Sequence, residues 1–150
     1  MQPIPKLLFS AALAFTIPLA ALAEPTVYET DEPYEDAVFA VREAIIGKGL
    51  VIDDESHVGD MLDRTKEDVG GEKDLYAGAI SFGFCSATVS RQVMEADIAN
   101  VQYCPYNIFV YEAVENPGTV HVGFRDYPGE SMAPVRELLD DIVRSALMLD

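Results

Sequence analysis

The two cysteines of this 150-residue chain, Cys85 and Cys104, are its most reactive side chains, and three chemistries are open to such a pair: a cross-link, a soft-metal site or thiol exchange. Cys85 stands in Phe84-Cys85-Ser86-Ala87-Thr88-Val89-Ser90, where Ser86 is placed to cap a helix. A free thiol at that helix start would have a lowered pKa, as redox exchange and metal ligation both require. Met94, on or just past the same helix, adds a thioether, and His57 or His121 would complete a copper or noncovalent haem site. Each of these ligands also has an ordinary place. Met94 fills a core, His57 opens a helix, and His121 alternates with Val120 and Val122, which puts it on the solvent face of a strand. Tyr103, Tyr106, Tyr111 and Tyr127 are candidates to line a binding surface, because tyrosine pairs apolar area with a polar handle, or else to pack in a sheet.

Other chemistry lacks a signature. The chain has no Cys-x-x-Cys, no Cys-x-x-Cys-His, no nucleophile elbow, no phosphate loop and no zinc-ligand spacing. Acid runs such as Asp53-Asp54-Glu55 and Asp140-Asp141 are ordinary solvated faces in a chain with 26 acidic and 10 basic residues. No catalytic residue is nominated.

The first 23 residues read as a signal peptide: Lys6, an apolar run from Leu7 to Ala20, and Ala21-Leu22-Ala23 as the cleavage signal. Cleavage before Glu24 leaves one domain over residues 24–150, periplasmic or secreted, with no membrane attachment. Lys6 is the only charge removed, so the net charge moves from −16 to −17. Such a chain repels phosphate backbones, which excludes nucleic acid as a partner.

The elements that must position the cysteines follow from periodicity. Thr26 to Thr30 is a short strand; Ala37, Val38, Val41, Ala44 and Ile45 mark a helix closed by Gly47 and Gly49; Leu50 to Asp53 is a second strand. A weaker helix begins at Ser56, with Val58, Met61 and Leu62 on one face. In the strand Leu75 to Phe84, Tyr76, Ile80, Phe82 and Phe84 share one face. A short helix from Ser86 to Glu95 and a loop from Asp97 to Gln102 lead to the strands Asn107 to Ala113 and Thr119 to Arg125, a hairpin turning at Glu115-Asn116-Pro117-Gly118. Val135, Leu138, Leu139, Ile142, Val143, Ala146 and Leu147 stripe a closing helix.

The helix ending in Gly-x-Gly, the cysteine opening a small helix, and Ile108-Phe109-Val110-Tyr111-Glu112 after a proline resemble the family called domain of unknown function 302, over residues 34 to 128. The resemblance implies a curved antiparallel sheet with helices on one side, often in dimers, and no established reaction. The expected fold is therefore α+β: a two-layer sandwich with a mostly antiparallel sheet of about five strands and its helices packed on one face. Two cysteines in an exported protein are most simply a disulfide. If the strands flanking residues 85 to 104 are antiparallel neighbours, the excursion returns to the end of the sheet that it left, and Cys85 can bridge Cys104. The leading functional expectation is a small exported binding or accessory module, with a homodimer, a small ligand or a protein as partner and no cofactor. A copper or haem protein is the alternative, and a thiol redox protein the third.

Overall fold

A computed structural model describes residues 24–149, so the signal peptide expected at residues 1–23 lies outside the described residues. The first strand, β1 (Thr26–Thr30), is followed by helix α1 (Tyr34–Gly47), strand β2 (Ile52–Ser56), helix α2 (Val58–Thr65) and the long strand β3 (Tyr76–Phe84). Helix α3 (Ala87–Ala96) and a 3₁₀ turn (Ile98–Tyr103) precede the hairpin β4 (Tyr106–Ala113) and β5 (Val120–Phe124). Helix α4 (Ala133–Ala146) closes the chain. The strands form one antiparallel sheet in the order β1-β5-β4-β3-β2. The fold is α+β, as the periodicities imply.

Helix α1 starts behind Pro33 with Glu35 and Asp36 in its first turn, where the macrodipole favours acids. It buries Ala37, Val38, Val41 and Ile45. Gly49 then takes a φ of +74°, and the Leu50 N–H returns to the Ile45 carbonyl, closing the helix as only a glycine does without strain. Helix α4 carries Pro134 in its first turn and buries Val135, Leu139, Ile142 and Val143. Helices α1 and α4 pack on each other and, with α3, on the sheet face made of Ile80, Phe82, Phe84, Ile108, Val110, Val120 and Val122. The Lys48–Asp141 ion pair and the hydrogen bond from the Tyr28 hydroxyl to Asp140 tie α4 to its neighbours.

Several elements depart from the sequence reading. The second strand lies later than Leu50 to Asp53, because β2 is an edge strand whose Asp53, Asp54 and Glu55 stay exposed. Arg42 of α1 reaches this edge with a two-pronged hydrogen bond to Glu55, at 3.1 and 2.7 Å. Helix α2 is capped at His57 rather than Ser56, and what it buries is Gly59. A Cβ there would stand 2.9 Å from the Ala79 backbone nitrogen, so the glycine lets α2 press against β3 just where β2 has ended. The expected loop after Asp97 is a 3₁₀ turn instead, started by the Asp97 carboxylate accepting from the Ala99 N–H at 2.9 Å.

The largest departure is at the start of β3. Its register against β4 slips between Tyr76 and Gly78, two steps on β3 against one on β4. This bulge reverses the alternation, so Tyr76 leaves the face of Ile80 and Phe82 and joins Tyr111 on the other. Gly78 falls on the helix side, with the Tyr34 ring lying over it where a Cβ would stand.

Burial first, and then the negative charges of Glu35 and Asp60, push the Tyr34 phenol up from 10.0 to about 12. A raised folded-state pKa holds the proton more tightly than the unfolded chain does. Stability linked to this proton is therefore fully present below about pH 10 and is expected to fall as pH rises from about 10 to about 12. Alkaline denaturation of Tyr34→Phe should lack this part of the loss, and phenolate absorbance should show one fewer late-titrating tyrosine.

Candidate functional site

Two groups of side chains hold the residues that the sequence singles out. The first is the corner where β3 ends and β4 begins. Phe84 pairs with Tyr106, so the excursion through α3 returns to the end of the sheet that it left. Cys85 and Cys104 then face each other at bonding distance, with 6.4 Å between their Cα atoms. Ser86 caps α3 by accepting from the Val89 N–H at 3.3 Å. Around the corner the Tyr127 ring meets Tyr103 and Tyr106 edge-on, at 5.8 and 5.9 Å between centroids. The Arg125 guanidinium lies over both Tyr127 and Tyr103. Tyr106 and Tyr127 are fully buried, the first hydrogen-bonding with Ser90 and the second accepting from the Asn107 N–H. Desolvation raises the Tyr106 phenol, against a smaller lowering by Ser90. Tyr106 and Tyr127 therefore pack the corner and offer no surface, while Tyr103 is half-buried at its rim.

The metal candidates are not brought together with the sulfurs. Met94 is half-buried against the core. Ser56 pairs with Ser81, so His57 falls level with Ile80, about 16 Å along the sheet from Cys85. His121 pairs with Tyr111 and so lies across β4 from Ala79, about 20 Å from Cys85. Among the described residues no three His, Cys, Asp or Glu side chains stand together in a geometry that holds a metal ion.

The second group lies on the sheet face away from the helices. Tyr111 is at its centre, stacked on the His121 ring at 4.6 Å and 1°. Tyr76 meets it edge-on at 5.7 Å, and Phe109 lies tilted beside it at 6.0 Å. Phe109 sits over Gly123, where a Cβ would stand 3.0 Å from the ring. Among the described residues α1, α3 and α4 all pack on the opposite face, and α2 lies along the β3 edge with Val58 bordering Tyr76 and Phe109, so no helix lies over Tyr111 and His121. His121 is not on a plain solvent face: its side chain is 15 % exposed, with Nε2 3.3 Å from a Glu29 carboxylate oxygen. Its Nδ1 is buried without a hydrogen-bond partner, a costly arrangement for a ring nitrogen. Sequence reasoning names Tyr111 and His121 separately and misses Tyr76 and Phe109; Phe109 joins Tyr111 by the plain alternation of β4, and the bulge in β3 is what brings Tyr76 to them.

The matched family model is Domain of unknown function DUF302, over residues 26–146. The chain belongs to the DUF302 family. The model takes in both groups of residues, the cysteine corner and the open aromatic face. A solved relative, the crystal structure of an uncharacterized conserved DUF302 protein from Bacillus stearothermophilus, superposes with a TM-score of 0.59 at 13 % identity. The match covers 83 % of this chain and 93 % of that one. At that identity the likeness is one of fold: the five-stranded sheet and its helix layer are the DUF302 architecture. No match was found among curated proteins.

Proposed function

We propose that this DUF302 chain is an exported binding module, without catalysis of its own, that docks a basic polypeptide on the open face of its sheet. The observation that carries the reading is the four-ring group of Tyr76, Phe109, Tyr111 and His121 on a sheet face that no helix of the described residues covers. Aromatic side chains with few charges among them are what the centres of protein interfaces are made of. The recess between Val58, Tyr76 and Phe109 holds about 260 Å³, enough for one inserted side chain and below the usual range for drug-sized ligands of about 300–1,000 Å³. A net charge of −16 steers positively charged partners toward the chain. On this reading the cysteine pair is a structural cross-link that fixes the corner beside β4, and export supplies the oxidising compartment it needs.

Calorimetric titration tests the proposal with synthetic peptides carrying one aromatic anchor flanked by lysine and arginine, or by glutamate. Basic peptides are expected to bind, to weaken with salt, and to lose about tenfold or more in affinity to Tyr111→Ala. Equal binding of basic and acidic peptides, or indifference to Tyr111→Ala, overturns it. Sedimentation equilibrium covers the other occupant: a dimer dispersed by Tyr111→Ala gives the face to a second copy of the chain and refutes the basic partner.

A further inference from the structure

The bulge in β3 and the early end of β2 leave a cleft beside α1 that neither the cysteine corner nor the open face uses. Its volume is about 630 Å³, within the range of small-molecule sites. The apolar floor comes from Val38 and Ile80, and two aromatic rings stand at its sides, Tyr34 over Gly78 and Phe39 at the lip. Phe39 is 60 % exposed, unusual for a phenylalanine with a helix face to bury. The Tyr34 hydroxyl has no hydrogen-bond partner among the described residues.

The charges in the cleft are one-sided. Glu35, Asp36 and Asp60 line it, and its one guanidinium, Arg42, is held by Glu55 in the two-pronged pair. His57 stands 3.9 Å from Asp60 and is 59 % exposed. The field is felt at Tyr34, whose phenol is held up by burial and by Glu35 and Asp60 together. The carboxylates do not converge on one point as a chelate does. A spread of negative charge around an aromatic and apolar floor suits a cation that carries its own apolar body.

We infer that this cleft is a binding site for a small organic cation, a protonated amine whose carbon skeleton lies against Tyr34 and Phe39 and whose ammonium group faces Glu35 and Asp60. The Tyr34 hydroxyl accepts one further N–H. The inference stands apart from the docking face, since the two sites share none of the rings on which each depends.

The probes are phenethylamine, butylamine and 1,4-diaminobutane, each against the alcohol of the same skeleton, titrated into the whole mature chain by calorimetry and by tyrosine NMR shifts. The amines are expected to bind about tenfold or more tighter than the alcohols, the Tyr34 resonances to move, and Glu35→Gln and Asp60→Asn each to weaken amine binding several-fold. Both carboxylates lie at the surface, each in the first turn of its helix, so these variants should lower the denaturation midpoint only slightly and stay folded under the titration conditions. Tyr34→Phe should keep the preference for amines and lower the affinity. Glu115→Gln and Glu130→Gln, exposed acids outside the cleft, should change nothing. Amines binding no better than alcohols, or the distant variants weakening amines as much as the cleft variants do, would mean only general counter-ion attraction and overturns the site.

Discussion

Leu139→Ala is expected to destabilise the folded chain by about 2–5 kcal/mol, as truncations of buried leucines do. Leu139 is 0 % exposed, on the face of α4 that also buries Val135, Ile142 and Val143. Removing its branched end leaves a hole between α4, α1 and the sheet that rigid neighbours fill only in part. Leu138 is half-buried one position away, so Leu138→Ala should cost clearly less and serves as an internal comparison. Urea denaturation of both variants measures the difference. A loss below about 0.5 kcal/mol at Leu139, the scale of a surface change, would contradict the packing described for α4.

Severing the link between Cys85 and Cys104 is expected to cost about 3 kcal/mol, the chain-entropy value for a loop of this length, from a total stability of about 5–15 kcal/mol. Cys85→Ser, Cys104→Ser and the double variant should be destabilised alike, because each removes the same constraint. Protein isolated without reductant should show no free thiol by mass after alkylation. Two titratable thiols under those conditions would refute the cross-link and favour sulfur as a metal ligand or redox group. Adding dithiothreitol to the parent should lower its denaturation midpoint to that of the serine variants.

Much of the architecture is legible in particular residues. The stripe from Val135 to Leu147 and the Gly49 closure of α1 are readable because burial on one helix face and a positive φ both leave strong marks on residue choice. Equally plain is the hairpin at Gly118, with its φ of +83°. The acidic end of β2, from Asp54 to Ser56, was hidden, since an exposed edge strand has no alternation to read and the expected strand stopped at Asp53. So was the face of Tyr76, because one extra residue in β3 inverts every side chain before it, and a strict two-residue period assumes none. The open aromatic face suffers most from this. Tyr111 and His121 can be nominated for their chemistry, but their contact is a matter of strand register, fixed by partners on separate strands.

The strand order also dictates when the sheet can be completed. Strands β2 to β5 are each paired with the next in sequence, a meander whose contacts form between near neighbours along the chain. β1 is different: made first, it hydrogen-bonds to β5, and Thr26 finds its place only beside Phe124. A chain synthesised from its N-terminus therefore carries its first strand unpaired until nearly the whole domain has emerged, while loop-closure entropy favours assembly of the meander ahead of it. Within the sheet, β1 is therefore expected to pair after the meander, and until it does the β5 edge is open to any competing strand.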